Sequence, residues 1–154
     1  MNNLEEKEVR KKYFEAIGNE RKIERLLKKL RDIENPSSLL LAYRAACESM
    51  MAQFSWNPYI KLAQVTKSFD FFGKAIKNDS QNAEIRFLRF SVQHNVPDFL
   101  RKNREFEEDK DALLENLKQT NFAQADFDTE FAQFIIGYLK DSGRFEVKEL
   151  EVLG

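Results

Sequence analysis

The sequence predicts an all-α protein of about seven helices in stacked antiparallel pairs, forming one domain over residues 1–143. Residues 144–154 form a tail whose structure stays open. Three observations carry the prediction. Apolar residues recur at steps of three and four through most of the chain, the spacing of a helix with one buried face. Five Gly and three Pro leave too few breaks for a sandwich of many short strands. Fourteen Phe supply a core, each contributing about 1.5–3 kcal/mol when fully buried, and a chain of this length buries roughly two-thirds of its unfolded surface.

In order, the first helix spans Leu4 to Ile17, with Val9, Tyr13, Ala16 and Ile17 inward and Gly18 ending it. Asn19 caps the second, where Ile23, Leu26, Leu27, Leu30 and Ile33 form an apolar stripe opposite Arg21, Lys22, Arg25, Lys28, Lys29 and Arg31. Asn35-Pro36 marks the next start. The third helix, Leu39 to Phe54, carries little charge beyond Arg44 and Glu48 and reads as the central buried rod, with Ala42, Ala45, Ala46 and Cys47 allowing close approach.

Asn57-Pro58 opens the fourth, whose inward face is Tyr59, Leu62, Val65, Phe69, Phe72 and Ile76. Asn78-Asp79-Ser80 breaks it and offers a cap for the fifth, Glu84 to Phe90 and beyond, which is apolar nearly all round and should lie deep. Val96-Pro97 stops it, and Asp98 to Arg104 reads as irregular. Phe106, Leu113, Leu114 and Leu117 mark a sixth helix with Glu105, Glu107, Glu108 and Asp109 in its first turn, where the helix dipole favours them. Asp126 can cap a seventh, facing inward through Phe127, Phe131, Phe134, Ile135, Tyr138 and Leu139 and ending at Ser142-Gly143. From Phe145 onward, strand-like alternation mixes with helix formers.

Within the fourth and fifth helices a resemblance emerges. The second helix of a tetratricopeptide repeat carries Ala, then Phe or Tyr four on, Ala three further and Pro five beyond that. The same slots here hold Ser68, Phe72, Ala75 and Ser80. The chain also resembles a group of small bacterial proteins of tetratricopeptide-like type, through Asn57-Pro58, Lys61-Leu62, Ala75-Ile76, Glu84 to Arg89, Pro97 to Leu100 and Glu107 to Asp109, over roughly residues 40–118. The resemblance implies a right-handed helical array used as a scaffold and brings no activity with it.

The formal net charge of −1 hides an uneven distribution. Residues 1–104 hold 20 basic against 13 acidic side chains, and residues 105–154 hold 5 against 13. The acidic end either folds back on the basic body or presents an ordinary wet face. The chain begins Met1-Asn2-Asn3 without an apolar leader and so reads as cytoplasmic, or as periplasmic or secreted where a leader has been removed. No run reaches the ~18 apolar residues of a membrane span. The single Cys excludes an intramolecular disulfide framework.

Phosphate-loop, dinucleotide and nucleophile-elbow patterns are missing. One His and one Cys make a structural zinc site untenable. Neither a catalytic residue, a cofactor nor a metal is expected. The carboxylates Glu105, Glu107, Glu108, Asp109 and Asp111 lack the Gly and spacing of a calcium loop and read as a solvated helix start. Nucleic acid is a poor partner, because Glu20, Glu24, Asp32 and Glu34 interrupt the basic second helix and no stacking aromatics interleave.

One constellation on the fifth helix stands out. Arg86, Arg89 and Gln93 fall in a narrow stripe on an otherwise apolar rod. They form either a clamp for a partner's carboxylate or an internal network with Glu48, Asp70, Glu84 or the acidic sixth helix. His94 reads as a polar residue of the helix end, and Trp56 and Tyr59 as either ligand anchors or the closure of a core edge. These six are the candidate contacts of a non-catalytic scaffold for a protein or peptide. The alternatives are an enzyme with a helix-bundle pocket using Arg and carboxylate chemistry, and a structural subunit whose groove its own acidic C-terminal region fills.

Overall fold

The computed structural model describes residues 3–97, 103–119 and 129–153. These residues form eight helices and no strand: α1 Asn3–Ala16, α2 Glu20–Arg31, α3 Ser38–Gln53, α4 Pro58–Asn78, α5 Ala83–Asn95, α6 Asn103–Gln119, α7 Thr129–Asp141 and α8 Val147–Val152. The fold is all-α. None of these helices is long and apolar enough to cross a membrane.

Caps explain most of the starts. Asn19 accepts from the Lys22 amide at 3.1 Å, after Gly18 has turned the chain at φ +79°. Asn57 accepts from the Tyr59 and Ile60 amides, and Pro58 occupies the first helical position. Two starts differ from expectation. At Asn35-Pro36, Asn35 turns through the left-handed region at φ +49°, and Ser37 then caps α3 through the Leu40 amide. At the other, Asn82 rather than Asn78-Asp79-Ser80 caps α5, accepting from the Ile85 amide at 3.1 Å.

Packing centres on α3, which contacts α1, α2, α4 and α5. Ala42, Ala45, Ala46 and Cys47 are fully buried there, and their small size lets the neighbours close in. A link over residues 54–57 folds α4 back along α3. Every residue of α5 from Ala83 to Gln93 is buried, because the helix divides two apolar clusters. Ile85, Leu88 and Val92 join the cluster built on α1 to α4. Phe87 and Phe90 join Phe106, Leu113, Ile135 and Leu139 in the other.

The inward faces need four corrections. Ile17 is 52% exposed because α1 ends one residue before it. Tyr59 and Leu62 face outward because two successive steps of three carry them about 120° and 60° around α4 from Val65, off the stripe that Val65, Phe69, Phe72 and Ile76 keep. The buried stripe of α4 begins at Val65. Phe134 is 47% exposed. Asn103 and Arg104 already belong to α6. Asp98 to Lys102 and the expected cap residues Asp126 and Phe127 lie outside the described residues.

The tail resolves into α8. Glu146 and Glu149 form a reciprocal capping box. Phe145 and Leu153 are buried at either end in the second cluster, and Lys110 on α6 pairs with Glu149 at 3.0 Å.

Candidate functional site

Arg86, Arg89 and Gln93 share one face of α5, and the structure turns that face toward α6. Waiting there is Asp109, with no exposed surface. Arg89 donates two parallel bonds to it, Nε to Oδ2 and Nη2 to Oδ1, both at 2.8 Å. Arg86 Nη1 reaches Oδ1 at 3.1 Å, and Gln93 Nε2 reaches Oδ2 at 2.8 Å. Glu108, at the rim, lies 3.4 Å from both guanidinium groups. Burial works against the Arg89 cation, but the hydrogen bonds and charge of Asp109 outweigh it and hold the guanidinium above its ordinary range. Burial likewise lifts the Asp109 carboxyl, against the opposing pull of Arg89 and then Arg86.

Sequence reasoning took Asp109 for part of a solvated helix start, and the structure corrects that. The missed signal is its register. Asp109 follows Phe106 by three and precedes Leu113 by four, which sets it on the buried stripe of α6. Charge at an apolar position demands an opposite charge across the interface.

The same construction recurs twice. Glu84 of α5, 2% exposed, accepts from Arg10 of α1 at 2.6 and 2.8 Å and from the Tyr43 hydroxyl of α3. Glu48 of α3, 1% exposed, accepts from Arg31 of α2 at 2.8 and 3.0 Å, with Lys67 of α4 at 3.5 Å. Each buried carboxylate therefore ties its helix to another, consecutive helices at Asp109 and Glu48, and helices distant in sequence at Glu84.

His94 stacks on Phe90, with ring centroids 6.3 Å apart, and its Nδ1 accepts from Arg144 Nε at 2.9 Å. The Arg144 guanidinium also lies 3.9 Å above the Phe106 ring. Cys47 is buried, and burial pushes its thiol well above the usual range. Among the described residues, no group of three or more His, Cys, Asp or Glu side chains is arranged to hold a metal.

Trp56 and Tyr59 occupy different ground. They are 90% and 83% exposed, on the α3–α4 link and the first turn of α4. Gln53 and Lys61, on either side of them in the chain, line a cleft of about 230 Å³. Its walls are Tyr13 of α1, Met50 and Ala52 of α3, Val65 of α4, and Val92, Asn95, Val96 and Pro97 at the end of α5. Lys61 is half-buried at that wall with no carboxylate within ion-pair distance among the described residues, unlike Arg10, Arg44 and Lys110 at similar depth. The cleft was not foreseen, since it joins the ends of helices separated by up to 80 residues.

No family model, curated protein or solved structure matches this chain.

Proposed function

We propose that the chain is a non-catalytic helical scaffold of tetratricopeptide-like type that binds a protein or peptide partner at the cleft beside Trp56 and Tyr59. The observation that carries the reading is a mainly apolar cleft between α3, α4 and the end of α5, with two nearly naked aromatic rings in the chain segment that joins two of its lining residues, Gln53 and Lys61. Aromatic side chains bring large contact area at little conformational cost, and Trp and Tyr dominate binding hot spots. A volume near 230 Å³ is smaller than the roughly 300–1,000 Å³ of small-molecule sites and suits an inserted side chain.

Two further features support a scaffold over an enzyme. The buried carboxylates of α3, α5 and α6, which acid–base chemistry would recruit, are each occupied by a guanidinium. Arg86, Arg89 and Gln93 are spent on Asp109, so the partner contacts move from α5 to Trp56, Tyr59 and Lys61. Successive packing of α3, α4, α5 and α6, together with the α3–α5 contact, suits a helical-repeat arrangement. Docking of α8 on α6 makes the acidic C-terminal region part of the second core, which counts against its acting as a plug for the cleft.

Trp56 is the only Trp in the chain, so its fluorescence reports directly on this surface. Peptides selected from a displayed library on the immobilised protein should shift Trp56 emission to the blue on binding. The Trp56→Ala/Tyr59→Ala double variant should lose them while keeping its helical circular dichroism. A correctly folded double variant that retains every selected peptide would remove the reading.

A further inference from the structure

A second surface, between α1 and α7, has its own chemistry. Lys7, Arg10, Lys11 and Phe14 fall at steps of three, one and three along α1, which sets them on one stripe. They meet Phe131 and Phe134 of α7 around a groove of about 480 Å³. Its floor is aromatic: the Phe14 ring lies edge-on to Phe131 and Phe134, with centroids 5.6 and 5.2 Å away. Phe134 is nearly half exposed there, a large ring left to water on a helix whose Ala132, Ile135 and Leu139 are buried.

The rim is cationic. Arg10 is committed to Glu84, but Lys7 and Lys11 have no carboxylate within ion-pair distance among the described residues. Among the described residues one acidic side chain, Glu130, borders the groove, and it stands in the first turn of α7, where the positive end of the helix already offsets its charge. Apolar floor and unanswered positive rim together specify the complement: a segment with large apolar side chains on one face and carboxylates beside them. From this charge complementarity we propose that the groove docks an acidic amphipathic helix of a partner protein, with a Leu or Phe on the Phe14–Phe131–Phe134 floor and Asp or Glu side chains on Lys7 and Lys11. The concave floor between two helices favours such a rod over a flat lipid surface. This site is separate from the cleft at Trp56 and stands without it.

The test uses the full chain and a fluorescein-labelled synthetic helix carrying Leu and Phe on one face and Glu on the flanks. A counterpart with every Glu replaced by Lys is the second probe, and vesicles of mixed phosphatidylserine and phosphatidylcholine are the third. The acidic helix should bind, the basic one should bind at least about tenfold more weakly, and added salt should weaken the acidic complex. Lys7→Glu/Lys11→Glu should reduce affinity by about tenfold or more with unchanged thermal melting, and Phe134→Ala should reduce it severalfold. Trp56→Ala/Tyr59→Ala should leave it intact, which separates this outcome from the fate of the cleft. Equal binding of the two helices, or a charge-reversed variant that binds as the parent does, would overturn the proposal. So would lysine-dependent capture by the vesicles without binding of the acidic helix.

Discussion

Replacing Asp109 with Ala tests the network that joins α5 to α6. The carboxylate accepts four hydrogen bonds, two from Arg89 and one each from Arg86 and Gln93. Its removal leaves two guanidinium groups in place, on residues 6% and 5% exposed. Removing one partner of a buried pair costs about 3–5 kcal/mol, mostly because the other charge stays desolvated. Glu108 remains 3.4 Å from both arginines, though it is half exposed, so the lower end applies. About 3 kcal/mol lowers the midpoint of a domain this size by about 6–12 °C. Asp109→Asn should fare no better, because its amide would point donors at donors. Converting the whole cluster, with Asp109→Leu, Arg86→Met and Arg89→Met together, should recover most of the loss. Thermal and urea unfolding followed by circular dichroism measure all three. An Asp109→Ala variant within about 1 kcal/mol of the parent would refute the placement of this carboxylate as a buried anchor.

Phe72 is fully buried in the first cluster, so Phe72→Ala should open a cavity and cost about 3–5 kcal/mol in a urea melt, with an unchanged midpoint the contrary result. Alkali should also destabilise the fold. Tyr13, Tyr43 and Tyr138 are all raised from an ordinary value of 10.0, in each case chiefly by burial. A phenol that ionises more readily unfolded than folded contributes stability below the unfolded value and loses it as pH climbs. Urea midpoints should therefore fall between pH 8 and pH 11. Tyr138→Phe should lessen the fall, and pH-independent midpoints would contradict the burial of these rings.

What the sequence disclosed depends on the kind of information each element needed. The α2 stripe from Ile23 to Leu30, the deep α5 and the small-residue face of α3 follow from local periodicity and composition, and they are found where the spacing puts them, while Ile33 falls beyond the end of α2. Tyr59 and Leu62 come at similarly short steps yet face water, because two successive steps of three carry them around α4 and off its buried stripe. For α8 the anchors are Phe145 and Leu153, whose burial depends on α6 and α7 across the second cluster. The stripe of Arg86, Arg89 and Gln93 was visible as a polar anomaly, but its answer lay on another helix. Only its register against Phe106 and Leu113 marks Asp109 as that answer.

The three carboxylate anchors also bear on why this chain adopts one packing among many. A core of Leu, Ile and Phe tolerates rearrangement, since apolar contacts are not directional. Turning α5 by one residue would swing Arg86 and Arg89 through 100° and leave Asp109 bare, while the same turn would withdraw Glu84 from Arg10. Each separation strands a buried charge at a cost of several kcal/mol, comparable with the whole stability of a small domain. Native register thus prevails over its neighbours even where the pairs add little net stability against an all-apolar core. The cations held this way are withdrawn from ligand binding. Among the described residues, Lys61 at the cleft and Lys7 and Lys11 at the groove have no carboxylate within ion-pair distance, which leaves them open to a partner's carboxylates.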